Sequence, residues 1–375
     1  MIVILLAGFV VLLTASHLAG IAAAAMRCRP ARGQLIAPAN APAVSIVVPV
    51  CGLENYLEQT LRTAFRLDYP NYELLFCVAR ADDPAVPLVR RLIAEHSAIP
   101  AQLLIGDERI SGNPKLNNVF KGWRAARHAW IAMPDSNVLI PRDYLQRLFA
   151  SWDASTGLVC SPPIGARPDG FWAALECAFL NSYQARWQYL ADTLGFGFAQ
   201  GKTMFWRRAV LEQAGGIRML GRDAAEDAAS TKIVRAAGLR VRLVDPPVRQ
   251  PLGRRRARDV WKRQTRWARL RRASFPLYFL PEILTSALWP FALTALLALQ
   301  VGFSPLLAVL ALAVLWYGAE LLLILRADWP LSRATLPCLI LRDLMLPILW
   351  IDALGGRNFE WRGTQMDAVE GARAS

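Results

Sequence analysis

Apolar and polar positions divide the chain into zones. Residues 2–25 are almost wholly apolar, interrupted mainly by Thr14, Ser16 and His17. That length predicts a helix spanning a bilayer, with His17 a tolerated polar residue on it. Near the other end, 283–303 and 306–325 are each long enough to span, joined by a tight turn at Gly302 and Pro305. A third apolar segment, 336–354, carries Arg342 and Asp343 with Pro337 and Pro347 around them. A charge at the bilayer centre costs roughly 2.5–3.5 kcal/mol or more, so a re-entrant or interfacial segment is expected there. Glu282 and Glu320 are expected near cytosolic ends.

Between these zones the pattern changes to short β-branched runs alternating with helical spacing. Val44-Ser45-Ile46-Val47-Val48-Pro49-Val50 predicts a buried parallel strand. Helical spacing follows over 56–65, a second strand over 72–78, a helix over 85–96 and a third strand over 102–105. This β-α-β-α-β order predicts right-handed crossovers and a doubly wound α/β sheet. A helix is predicted from the Asn113 run to about Arg127, and a further strand over 157–161. Residues 171–190 read as one amphipathic helix with a greasy face, set either in the core or against lipid. Residues 195–202 read as a flexible aromatic loop, a candidate lid.

Charge narrows the partners. The 375 residues include 43 basic and 29 acidic side chains, a net charge of +14, with 54 % hydrophobic residues. Such a balance suits nucleic acid, an anionic membrane face or phosphate-bearing ligands, and the apolar ends favour the membrane. No Lys or Arg precedes the first apolar run, whereas Arg27, Arg29 and Arg32 follow it. A cleaved signal peptide carries its charge first; the positive-inside rule instead places residue 27 onward in the cytosol. The six cysteines are far apart and read as buried thiols.

Candidate chemistry falls at strand ends and helix starts. Asp135-Ser136-Asn137 ends the apolar run 129–133. Ligands of open α/β sheets sit at such ends, and a carboxylate there can hold a hard cation that in turn holds a diphosphate. The same three residues also suit a plain turn. Asp83 lies just past the second strand, where it can accept from a uracil imide or cap the next helix. Lys115, at a helix start, offers a point charge to phosphate. Asp227, in Ala225-Glu226-Asp227, opens a helix that ends at Gly238. The dense basic run 254–272 suits an interfacial helix on anionic lipid.

These motifs, with Leu67-Asp68-Tyr69-Pro70, Asp82-Asp83-Pro84-Ala85, Asn113-Pro114-Lys115-Leu116-Asn117-Asn118 and Arg263-Gln264-Thr265-Arg266-Trp267, together resemble those of the ceramide glucosyltransferases and their bacterial relatives. That group comprises inverting, membrane-bound nucleotide-sugar transferases (family 21, family-2-like). The resemblance covers about residues 45–270. It implies a GT-A, Rossmann-like nucleotide-diphospho-sugar transferase domain with flanking transmembrane helices. It also implies transfer of a hexose, glucose first, from a UDP-sugar to the primary hydroxyl of ceramide. Asp227 would be the catalytic base. Asp83, Lys115, Asp135, Asn137, Arg263, Arg266 and Trp267 would bind substrate, with Mg2+ or Mn2+ at Asp135. The sequence departs from the family pattern in two places. Asn137 stands where many related transferases carry a second Asp, or the animal enzymes a Gly, which bears on metal dependence. A histidine of the animal enzymes has no counterpart near Asn181-Ser182-Tyr183-Gln184, which bears on the acceptor.

The expected layout is a transmembrane helix (1–26), a linker (27–42), a cytosolic transferase domain (43–250), a basic interfacial helix (251–276), a membrane region (277–354) and a tail (355–375). Phe359-Glu360-Trp361-Arg362-Gly363 in the tail resembles a family echo and is expected to help cover the site. The setting expected is a bacterial inner membrane, with the transferase domain facing the cytosol and no nucleic-acid partner. Other readings are a hopanoid or other membrane alcohol as acceptor, and a non-catalytic basic membrane anchor.

Overall fold

The computed structural model describes residues 1–31, 33–356, 358–361 and 364–367, the last two stretches by their backbone. The chain divides into two compact units. One comprises 31–164, 191–253 and 358–375; the other comprises 1–30, 165–190 and 254–357.

The first unit is built on a seven-stranded mixed sheet. Its strands are β1 (Val44–Val50), β2 (Tyr72–Val78), β3 (Ala101–Ile105), β4 (Trp130–Pro134), β5 (Thr156–Cys160), β6 (Thr203–Arg207) and β7 (Arg240–Leu243), in the spatial order β3-β2-β1-β4-β6-β5-β7. β1 and β2 are apolar apart from Ser45 and Glu73, which pair with each other at 2.7 Å, because both faces of the strands are covered, and β2 is buried throughout. β1 pairs in parallel with β2 and β4, and β2 with β3. β6 runs antiparallel to β4 and β5, while β5 and β7 are parallel. The residues just before β6 therefore lie where the parallel strands end, the edge at which ligands bind in open α/β sheets.

The Pro114–Ala125 helix follows β3 and packs close against the sheet. A Cβ added at Gly122 would stand 2.4 Å from Val47 Cγ1 and 2.6 Å from Cys77 Sγ. Alanine is the better helix former by about 0.8–1.0 kcal/mol. Overpacking a core costs about 1–3 kcal/mol, so the steric term wins. Gly122→Ala is expected to lower the thermal midpoint of unfolding; an unchanged or raised midpoint would show that the helix simply shifts outward.

The second unit holds the membrane-type helices. Ile2–Arg27 and Pro305–Arg326 are each long and apolar enough to cross a bilayer. The expected span over 283–303 takes another form. Pro276–Thr285 forms short helical turns, and Leu288–Gln300 then leaves at a bend of 50°. Its 13 residues alone rise about 20 Å, short of the ~30 Å hydrocarbon core, but together with the bent turns before it the pair is long and apolar enough to form a broken span or a re-entrant loop. Ser286 restarts the helix, its Oγ accepting from Leu288 N at 3.2 Å.

The segment expected to be re-entrant or interfacial is one unbroken helix, Thr335–Gly355, despite Pro347 inside it. Arg342 and Asp343 are tolerated because they are buried within the unit and paired. Arg342 makes a bidentate contact with Glu320 at 2.7 and 2.9 Å and meets Asp343 at 2.9 Å. Glu320, expected near a cytosolic end, is a buried partner within the helix Pro305–Arg326. His17 is also more than a tolerated polar residue. It is buried, stacks on Trp316, contacts the Trp316 carbonyl through Nε2 at 3.2 Å and meets the Arg186 guanidinium.

The helix expected over 171–190 also differs. It runs as α-helix (Phe171–Cys177), π-helix (Ala178–Ala185) and α-helix again (Arg186–Thr193), and every residue of the π segment is buried. Five of the six cysteines are buried as expected, but Cys51 is exposed. In the tail, Asn358–Trp361 pairs antiparallel with Thr364–Asp367; Arg362 and Gly363 lie outside the described residues.

Candidate active site

Asp135 follows β4 directly, so strand geometry places it at the carboxyl edge of the sheet. Its backbone N–H donates to the Lys202 carbonyl at 3.0 Å, tying the end of β4 to the start of β6. Its carboxylate sits between two ammonium groups, with Lys115 Nζ 2.7 Å from Oδ1 and Lys202 Nζ 2.8 Å from Oδ2. Lys202 also donates to Asn137 Oδ1 at 3.1 Å, and Asn137 Nδ2 donates to Glu54 at 2.9 Å. Asp135-Ser136-Asn137 therefore forms one wall of a charged cluster.

The Pro114 helix supplies the second wall. Asn113 caps it, its Oδ1 accepting from Lys115 N and Leu116 N at 2.9 and 3.2 Å. The Asn113 amide reaches across to Glu226 Oε2 at 2.7 Å. Asn118 holds the same helix to the strand ends through Cys77 O, at 2.8 Å. Lys115 Nζ then bridges Asp135, Glu226 at 2.8 Å and the Gly201 carbonyl at 2.8 Å.

Asp227 lies in the first turn of the Glu226–Ala236 helix, which leads into β7. A methyl group on Gly201 would stand 3.2 Å from both Lys115 Nζ and Glu226 Oε1 and 3.8 Å from Asp227 Oδ2. The three groups therefore close on one point, and glycine leaves that point open. Burial pushes the Asp227 carboxyl up to about 7. The Glu226 carboxylate adds to the rise, while Lys115 and the Ala228 and Gly201 amides oppose it. Asp135 goes the other way: burial would raise it, but Lys115 and Lys202 hold it well below the usual carboxylate range. Lys115 is raised, because Asp135 and Glu226 outweigh its burial. Two carboxylates with oppositely shifted acidities are the pattern of a divided acid-base and electrostatic role.

Asp83 stands past the end of β2. Both of its oxygens accept from Gly52 N at 3.0 Å, and Oδ1 accepts from Ala85 N at 2.8 Å. It shapes the loops after β1 and β2 at the same sheet edge. Arg263, Arg266 and Trp267 belong to the other unit, on the Ala257–Ser274 helix. There Arg263 pairs with the buried Glu176, which Arg255 meets at 3.1 Å; Arg266 and Trp267 are half-buried.

Lys202 escaped sequence reasoning as a site residue. Its one local signal is a lone cation at the foot of the apolar run Thr203 to Trp206, inside the stretch read as a lid. Asn113 and Glu226 were visible as helix-start residues, but not as partners of one another.

The model for Glycosyl transferase family 21 matches residues 12–374. The chain belongs to this family. A family 21 chain of this kind is a glycosyltransferase working from a nucleotide-sugar donor. It is 27 % identical over 329 residues to ceramide glucosyltransferase 3 of Caenorhabditis elegans, covering 86 % of this chain and 72 % of that one. With ceramide glucosyltransferase 1 of the same organism it shares 29 % over 237 residues, and it spans about half of that relative, 51 %. Its fold is like that of a mannosyltransferase from Pyrobaculum calidifontis solved with GDP-Man and Mn2+. The TM-score is 0.50 at 19 % identity, covering 90 % of this chain and 99 % of that one. The sheet is accordingly of the GT-A type. Both Asp135 oxygens in the family 21 chain already accept from ammonium groups, so a divalent cation would enter there only by displacing Lys115 or Lys202. Among the described residues, no group of three or more His, Cys, Asp and Glu side chains could hold a metal ion.

Proposed function

We propose that the protein transfers a hexose, glucose first, from a UDP-sugar to the primary hydroxyl of ceramide with inversion at the anomeric carbon. The observation that carries this reading is Asp227, a carboxyl pushed up to about 7 beside a lysine-carboxylate cluster. A base that takes the acceptor proton works best with an acidity near the working pH. Inversion needs one such base, placed opposite the departing diphosphate. The names of the C. elegans relatives support ceramide as the acceptor class.

In this scheme Asp227 accepts the hydroxyl proton as the oxygen attacks the anomeric carbon, and the bond from that carbon to the diphosphate breaks. Lys115 is assigned to the charge that grows on the leaving group, where a fixed cation lowers the barrier. Asp83 is assigned to the uracil edge. For Arg263, Arg266 and Trp267, assignment to the nucleotide rests on the family motif. Asp135 is the residue that would hold a Mg2+ or Mn2+ ion, but both of its oxygens already accept from ammonium groups, so no step of the scheme is routed through a metal. Arg27, ending the first apolar helix, and Arg29 just past it support a transferase domain on the cytosolic side; a bacterial inner membrane is the setting assigned.

The test is mass spectrometry of lipids from cells with and without the chain, together with purified protein offered several UDP-sugars. Hexosylceramide that appears only with the chain is the expected result. Label moving instead to a hopanoid or another membrane alcohol would reassign the acceptor, and no transfer to any lipid would overturn the reading.

A further inference from the structure

The cluster around Asp135 contains a charge that the proposed reaction has not used. Lys202 is nearly buried, its side chain 14 % exposed, and it is held against Asp135 Oδ2 at 2.8 Å and Asn137 Oδ1 at 3.1 Å. Lys115 lies on the opposite oxygen of the same carboxylate, where it is shared with Glu226 and the Gly201 carbonyl. An ammonium group has three protons, so Lys115 spends all of its donors on protein acceptors. It provides charge to this corner but has no proton for a phosphate oxygen without giving up a contact.

We propose that Lys202 is a donor-binding residue that takes the place of a divalent cation at Asp135, so that the sugar diphosphate binds without metal. The inference rests on the UDP-sugar reading above and assigns one of its sites. Lys115 is shared between Asp135 and Glu226, so these three groups sum to one negative charge, and Lys202 supplies the cation that balances it, the part a metal ion would otherwise play. The neighbouring Asn137 fits this arrangement. A second aspartate there would add the negative charge that suits a hard cation, whereas an amide oxygen serves an ammonium donor equally well. Backbone geometry fixes the lysine in place. Gly201 lets the chain pass between Lys115 and Glu226, and the Lys202 carbonyl accepts from Asp135 N at 3.0 Å, so Lys202 is anchored at both its main chain and its head group.

The experiment is calorimetric titration of UDP into the full chain in detergent, once in EDTA and once in saturating MnCl2. The wild-type protein is expected to bind UDP in EDTA with an affinity that Mn2+ changes little. Lys202→Met should weaken binding in EDTA by about 10–100-fold, the scale of one charge-assisted hydrogen bond. Mn2+ should restore much of that loss, because the vacated oxygen can then take the ion. Lys202→Arg, which keeps the charge, should stay closer to wild type in EDTA. Wild-type binding that needs Mn2+ would overturn the inference and leave the transferase reading intact. So would Lys202→Met binding as well as wild type in EDTA. Absence of UDP binding under both conditions would overturn both.

Discussion

Replacing Asp227 with asparagine is expected to cut turnover by about 10²–10⁴-fold, the usual worth of a positioned general base, while UDP binding survives. The asparagine oxygen can still accept from Ala228 N, as the carboxylate does at 2.8 Å, so the helix start should keep its shape. The variant separates catalysis from folding and from nucleotide binding. A non-catalytic anchor would show no change in either measurement. Single-turnover transfer and UDP titration on the same preparation give the two readouts, and turnover within a few-fold of wild type would remove Asp227 from the reaction.

The acidity of the same group sets a pH dependence. Asp227 is raised to about 7 by burial and by Glu226, against the opposing pull of Lys115. It acts as a base only when deprotonated. The value of kcat/KM, which reports the free enzyme, should therefore climb with pH, about tenfold per unit below 7, and level off above it. An ordinary carboxylate would give a flat profile over the same range. Glu226 lies beside Asp227, so the measured midpoint belongs to the pair, with Lys115, Asp135 and Lys202 supplying the surrounding field. For stability the sign is reversed. The folded carboxyl binds its proton more tightly than the unfolded one, so this group's contribution is full below about 4 and is lost as pH rises through 7.

Removing the Glu320 side chain is the second change with a large expected effect. Its carboxylate takes both arms of Arg342, at 2.7 and 2.9 Å, and faces Arg186 at 3.5 Å, with all three side chains buried. Arg342 also donates to Ser182 Oγ at 2.8 Å, and Tyr317 donates to Asp343 at 3.1 Å. Glu320→Ala would leave two guanidinium groups facing Asp343 alone as their acid. Breaking a buried pair on one side costs about 3–5 kcal/mol, much of the stability of a typical domain. Thermal unfolding in detergent should show a large drop for Glu320→Ala and a smaller one for Glu320→Gln, which keeps an acceptor. Equal stability of all three proteins would mean that water reaches the network.

The sheet was legible because its strands are written locally. Val44 to Val50 and Tyr72 to Val78 are largely apolar runs buried on both faces, and the strand bounds follow them. Asp135 and Asp227 were visible for a related reason: an acid at a strand end or a helix start stands out against its neighbours. Lys202 did not stand out, because its meaning depends on Asp135, 67 residues away. Arg342 was recognisable as an anomaly, but its partner lies on another helix. The break before Leu288 was missed because hydropathy over 283–303 is continuous, whereas Pro281 and Ser286 act through backbone geometry. Lys202 and the partner of Arg342 escaped notice because their roles depend on residues distant in the chain.

The wide-turned stretch Ala178–Ala185 bears on how this protein can change over generations. Its side chains lead to different neighbours: Ser182 to Arg342, Tyr183 to Thr285, Gln184 to Gln264, with Arg186 next to His17 just beyond. Losing one residue there would change the winding of the coil and shift the side chains that follow along and around its axis, so these partners could not all be kept in register. A point substitution in such a stretch disturbs one contact at a time, whereas a change of length disturbs several at once.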